Sequence, residues 1–294
     1  MLPAQARPAE QGSPAAMRVG RVTVVAWPPQ MRLALELARQ ADRPAEWPGL
    51  GRRQPGPLRL IVVPGGRVLD SLTGGMAPSW GAAIALPGAR TIVLRADQGD
   101  LSRTLRHELA HLALHQAVPV RVPLWFDEGY AAWAAGEWDR LGSLELNLAV
   151  VGGAIPDLDQ LDAALRGSAS TADVAYALAA TAVAELARRN PSRTLVPLLA
   201  RLQSGTDFEV AVRTTTGLTM GRFEAEWART VRRRYGLFTW LVAGGGWAVI
   251  ALLVLTLTRW RKRADRARRA ALDQGWDVDP EATSGTELDP TPRE

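Results

Sequence analysis

All three histidines of the chain fall within nine residues, in Arg106-His107-Glu108-Leu109-Ala110-His111-Leu112-Ala113-Leu114-His115. An α-helix is the regular structure that stacks side chains four positions apart on one face, so His107 and His111 act together only if this segment is helical. Neighbouring turns then bring two imidazoles to a single ion, with Zn–N bonds of about 2.0–2.1 Å. Glu108 sits about 100° round the helix from His107. It misses the ion but reaches a water beside it, which is the position of a general base. The segment therefore reads as an HExxH motif with Zn2+ (one ion) as cofactor, on a helix from about Leu101 to Gln116 capped by Asp100 or Ser102. His115 is a poor third ligand, lying about 12 Å along the axis from His107. A charged imidazole there suits the end of the helix dipole. The third ligand of a catalytic site has to come from another element.

The surrounding pattern gives an α+β fold class: a small N-terminal sheet followed by a mostly helical half. Strands are expected at Arg21–Ala26, Leu58–Val63, Ala82–Leu86 and Thr91–Leu94, the last two joined as a hairpin through Pro87-Gly88-Ala89-Arg90. A helix is expected at Gln30–Ala41, and Arg43–Pro57 reads as a Pro/Gly/Arg-rich connection. From Phe126 onward the expected helices are Glu128–Ala135, Asp157–Leu165, Thr171–Arg189, Pro191–Gln203, Phe208–Thr215 and Met220–Arg234. Residues 1–17, rich in Ala, Pro and Gln, are expected to be unstructured or the remnant of a signal peptide, since Ala4-Gln5-Ala6 fits the small-x-small pattern of a cleavage site. The folded domain is expected over residues 18–235.

The chain has no cysteine, which excludes disulfides, thiol nucleophiles and Cys-based metal sites. Its net charge of +5 is unevenly placed. The strongest basic run, Arg259–Arg269, abuts an apolar segment instead of decorating a folded surface, so nucleic acid is not an expected partner. That apolar segment, Gly236–Thr258, carries no formal charge and is long enough for a bilayer core of about 30 Å. With Trp240 and Trp260 as interfacial anchors it reads as a transmembrane helix, making the lipid bilayer a partner. The heavier basic flank on its C-terminal side places the tail (259–294, basic then acidic and disordered) in the cytoplasm, and the large domain outside the cell membrane as a single-pass protein.

After the motif comes Pro123-Leu124-Trp125-Phe126-Asp127-Glu128-Gly129-Tyr130-Ala131-Ala132-Trp133. HELAH followed by PLWFDEGYA resembles the peptidase MA-like domain family, gluzincins with HExxH and then a W-x-x-E-G-x-A element. The resemblance covers about residues 20–234, with the zinc motifs its specific part. It implies His107, His111 and Glu128 as zinc ligands and Glu108 as the base, with Asp127 the neighbouring competitor for the third position. It implies a peptide or protein substrate, held by main-chain pairing along the edge strand Ala82, Ala83, Ile84, Ala85 and Leu86. Tyr176 best matches the family's oxyanion-stabilising tyrosine. Thermolysin-like relatives have an acidic residue one turn after the ligand Glu, to orient a zinc histidine; here that place is Ala132. The expected function is a membrane-anchored zinc metallopeptidase, with a catalytically inactive binding or scaffold module of the same fold as the alternative. Oligomeric state is not written in the sequence.

Overall fold

The computed structural model describes residues 12–54, 56–76, 81–137, 155–240 and 246–273. The chain divides into two compact units, Met1–Thr239 and Trp240–Glu294.

The first unit opens with the strands β1 (Ala15–Val19) and β2 (Val22–Ala26), the helix α1 (Met31–Ala41) and a two-stranded hairpin, β3 (Ala45–Trp47) with β4 (Gly51–Arg53). Then follow β5 (Leu58–Val63), α2 (Gly66–Thr73), β6 (Ala83–Leu86) and β7 (Thr91–Arg95). The main sheet has the order β1-β2-β5-β7-β6. Its central strands β2, β5 and β7 run parallel, while β1 and β6 are antiparallel edges. Alternation explains the burial. Val22, Val24 and Ala26 of β2, Leu58, Leu60 and Val62 of β5, and Ile92 and Leu94 of β7 point into the main core. Val63 and Val93 point to the other face, against Leu69 of α2.

The helical half comprises α3 (Leu101–Ala117), α4 (Leu124–Ala135), α5 (Leu158–Leu165), α6 (Ala169–Arg189), α7 (Val196–Gln203), α8 (Phe208–Thr216) and α9 (Met220–Trp240). An aromatic cluster of Trp125, Phe126, Phe208 and Phe223 joins α4 to α8 and α9, and the buried Trp227 indole donates to Thr181 Oγ1 at 2.7 Å. Glu185, 4% exposed, is held by Arg188 and Arg189, and Arg189 also pairs with Glu226. These contacts fix the scaffold on which α3 and α4 lie.

The α+β architecture with a small sheet matches the expectation, and several boundaries shift. β1 takes in Ala15–Met17, at the end of the stretch expected to be unstructured, and the expected connection Arg43–Pro57 contains the hairpin β3–β4. Residues 1–11, Trp80 and the acidic tail beyond Asp273 lie outside the described residues.

Among the described residues, no helix matches the transmembrane helix expected over Gly236–Thr258. That stretch is shared between the end of α9 and the start of α10 (Gly246–Asp273), and residues 241–245 lie outside the described residues. Within α10 only Gly246–Thr258 precedes the basic run, about 20 Å of helix where a bilayer core needs about 30 Å. No helix among the described residues is long and apolar enough to cross a membrane. This finding overturns the single-pass cell-membrane placement and the assignment of an outer domain and a cytoplasmic tail that rested on it, and it leaves the bilayer as a partner without support.

Candidate metal centre

Two helices build the site. α3 starts at Asp100, whose carboxylate accepts from the Arg103 N–H at 3.2 Å and satisfies one of the free donors of the first turn. α4 starts after Pro123 without a cap of its own. Asp162 of α5 supplies one across the fold, accepting from Leu124 N–H at 3.3 Å and Trp125 N–H at 2.6 Å. Arg106 clamps the two helices and the hairpin together. It donates to Ala134 O at 2.6 Å and to Glu46 O at 3.0 Å, and lies over the Trp47 ring at 5.0 Å.

Between these helices His107 Nε2 lies 3.3 Å from Glu128 Oε2, and His111 Nε2 lies 3.4 Å from the same oxygen. Ligands around a tetrahedral ion at about 2.0–2.1 Å stand about 3.3–3.4 Å apart, so the spacing suits one zinc ion. The chemistry of the donor set agrees, because each imidazole turns its other nitrogen to a carboxylate. His107 Nδ1 meets Glu137 Oε2 at 3.2 Å, and His111 Nδ1 meets Asp127 Oδ1 at 2.7 Å. Those pairings occupy the Nδ1 side of each ring with a carboxylate and turn each Nε2 to the centre, the arrangement that favours metal binding through Nε2. The second oxygen of Asp127 meets His115 Nε2 at 2.6 Å.

Glu108 is 7% exposed and sits beside the edge strand, where the Ala85 main-chain N–H donates to its carboxylate. Arg95 N–H donates to Ala82 O at 2.9 Å, and the register pairs Ala83 with Leu94. In this antiparallel ladder Ala82, Ile84 and Leu86 therefore bond to β7, while Ala83 and Ala85 turn their main-chain groups to the open edge. Tyr176 on α6 stands edge-on to His107, with ring centroids 6.0 Å apart.

The structure brings His107, His111, Glu128, Glu108 and Tyr176 together, with the edge strand reaching them at Ala85, and three supporting groups were not recognised. Glu137 was missed because it lies beyond the end of α4. Gly136, at φ 70, takes the left-handed conformation that ends the helix and turns Glu137 back toward His107. Asp127 had been weighed as a ligand and His115 as a helix-end residue; they bond to each other, and Asp127 orients His111. A carboxylate flanking Glu128 and a third histidine two turns along α3 were the available signals.

The family model of the peptidase MA superfamily matches residues 57–233, more than half of the chain. The chain belongs to the peptidase MA superfamily. No curated protein matches it at a significant level. As a member of the peptidase MA superfamily it is a metallopeptidase-like protein with peptides or proteins as its substrate class. The superfamily is generally zinc-dependent, and the cluster His107, His111 and Glu128 is a group that could hold such an ion.

The charges of this cluster are strongly coupled. Burial works against charging His107, but Glu137 and Glu128 outweigh it and raise its pKa from 6.5 to about 10. His111 moves the same way against the same burial, through Glu128 and Asp127. Glu128 is pulled down to about 2 by the two histidines in spite of burial, and Asp127 falls well below the usual carboxylate range. Glu108 goes upward, because burial exceeds the pull of the histidines. The stability of the metal-free protein follows from these shifts. The raised His107 contributes fully below its unfolded pKa of 6.5 and loses that contribution as pH rises toward 10. The depressed Glu128 contributes above 4.5 and loses it as pH falls toward 2. Thermal melts of the metal-stripped chain should therefore peak between pH 4.5 and 6.5 and decline on both sides. A melting point that climbs steadily from pH 6.5 to 10 would contradict these assignments.

Proposed function

We propose that this domain hydrolyses peptide bonds in peptide or protein substrates, with one zinc ion held by His107, His111 and Glu128 and with Glu108 as general base. The observation that carries this reading is the convergence of two imidazole Nε2 atoms and one carboxylate oxygen, beside a buried carboxylate that touches the edge strand. When bound, the ion supplies Lewis acidity, acidifying water and polarising the carbonyl under attack.

The protein's own groups do the rest. The main-chain groups of Ala83 and the Ala85 carbonyl pair with an extended substrate, and the Ala85 N–H holds Glu108 beside the scissile carbonyl. Glu108 takes a proton from the attacking water and returns it to the leaving amine. Burial raises its pKa above the ordinary carboxylate value, which makes it a stronger base toward the attacking water. Tyr176, edge-on to His107, donates to the oxyanion that forms on the attacked carbonyl. Glu137 and Asp127 hold the imidazoles in the tautomer that binds metal. Their effect is exerted through the histidines, so they are positioning residues.

The test is hydrolysis of an unfolded protein such as casein by the purified full chain. The expected result is proteolysis that a chelator abolishes and stoichiometric zinc restores. Proteolysis that persists after the metal is removed would overturn the reading.

A further inference from the structure

A second cavity, of about 450 Å3, opens on the later half of α3, bounded by the β3–β4 hairpin, the segment entering β5 and the turn that follows β6. That volume lies in the range of about 300–1,000 Å3 usual for small-molecule sites. His107, Glu108, His111 and Glu128 take no part in its lining. His115 lines the cavity and also bonds to Asp127.

The lining has a consistent chemistry. Trp47, Leu109 and Leu112 give an apolar body, and Arg53, Arg90 and Gln116 give hydrogen-bond donors. No Asp or Glu is among the described residues that line it. Arg53 is held in place by its Nε–H, which donates to Leu50 O at 3.1 Å, so the two terminal nitrogens of its fork are the ones left to meet a ligand. Arg90 and Gln116 converge. A Cβ placed on Gly56 would come 3.8 Å from Arg90 Nη1 and 3.5 Å from Gln116 Nε2, so both donors border the small space that a glycine leaves open.

Arg90 also has an unusual backbone. It sits at φ 46, in the left-handed region, as the residue that closes the turn after β6. A glycine takes that conformation without strain, and an arginine there costs of order 1 kcal/mol. Local strain at a residue whose side chain reaches a cavity points to a role for that side chain.

We propose that this cavity is a binding site for the carboxylate of an apolar acid, with Arg53, Arg90 and Gln116 on the carboxylate and Trp47, Leu109 and Leu112 around the apolar body. A guanidinium fork matches a carboxylate in a bidentate, charge-assisted pair, and the absence of a lining acid removes the internal competitor. The ligand is either a free small acid or the C-terminal carboxylate of a peptide ending in a large apolar residue. The proposal does not depend on zinc or on hydrolysis, and its test reads binding alone.

Calorimetric titrations of the full chain with 3-phenylpropionate and with 3-phenylpropanamide form the first arm. The acid should bind and the amide should bind at least about tenfold more weakly, since a hydrogen bond to a charged group is worth that much or more. The second arm is Arg90→Gly, which removes the guanidinium and relieves the strain at φ 46, so its melting point should equal or exceed that of the wild type. Its affinity for the acid should fall by about tenfold or more. A third arm compares an N-acetylated dipeptide ending in Phe. Tighter binding than phenylpropionate assigns the site to peptide termini, and weaker binding assigns it to free acids. Equal affinity for acid and amide overturns the proposal. So does unchanged acid binding by Arg90→Gly, which would put the ligand at the metal centre, and so does the absence of binding to the folded wild type.

Discussion

Glu108→Gln should lower kcat for peptide hydrolysis by about 10³–10⁴-fold, the upper part of the range for general acid–base catalysis, with zinc content unchanged. The substitution keeps the shape of the side chain, and its amide oxygen can still accept from Ala85 N–H, so the edge strand keeps its anchor. It removes the group that carries the proton from water to the leaving amine. None of the three candidate ligands is touched. It also removes a buried carboxylate that faces Glu128, so the variant should be at least as stable as the wild type. Zinc analysis, a melt and a rate measurement on one sample separate the possible outcomes. Activity within a few-fold of wild type would remove Glu108 from the mechanism. Lost activity together with lost zinc would make it a structural support of the centre.

Gly129→Ala should be among the most damaging single-methyl changes available in this domain. A Cβ at Gly129 would stand 2.4 Å from Ala179 O and 2.9 Å from Val183 Cγ2, both on α6. The first of these is backbone of a buried helix, which cannot turn aside as a long side chain would. Overpacking of this kind costs about 1–3 kcal/mol, and contact with backbone places it at the upper end. The melting point should fall by roughly 6–12 °C for a unit of this size. Since Glu128 is the preceding residue, moving α4 away from α6 also pulls its carboxylate from the histidines, and zinc affinity should fall in the same variant. The glycine after Glu128 is therefore a packing residue, required because two helix backbones meet there. A melting point within a degree or two of wild type would show that α4 and α6 are not so close.

The parts of this molecule that were legible in the sequence are those where one physical rule decides. Histidines four apart have to share a helix face, and the alternation of Leu58–Val63 makes β5 readable to its ends. The two extra strands β3 and β4 were invisible because Ala45–Trp47 and Gly51–Arg53 are too short to show alternation and lie among residues typical of turns. α2 begins at a glycine and buries only Leu69 and Thr73, which gives little helical periodicity to detect. The carboxylate that supports His107 was sought one turn after Glu128, at Ala132, while the chain supplies it from Glu137 beyond the helix end. The transmembrane expectation failed for a different reason. Counting uncharged residues across Gly236–Thr258 gave the length of a span, whereas α10 has only Gly246–Thr258 before it becomes strongly basic at Arg259.

The central claim is that His107, His111 and Glu128 hold one zinc ion, and metal analysis of the purified full chain tests it most directly. Wild type and Glu128→Ala should be compared side by side, with Asp127→Ala as the neighbouring control. The account predicts about one zinc per wild-type chain, lost in Glu128→Ala, and retained with weakened affinity (about 10–100-fold) in Asp127→Ala, because Asp127 acts through His111. A folded wild-type chain that takes up no zinc would contradict it, and so would a Glu128→Ala protein that binds zinc as tightly as the wild type.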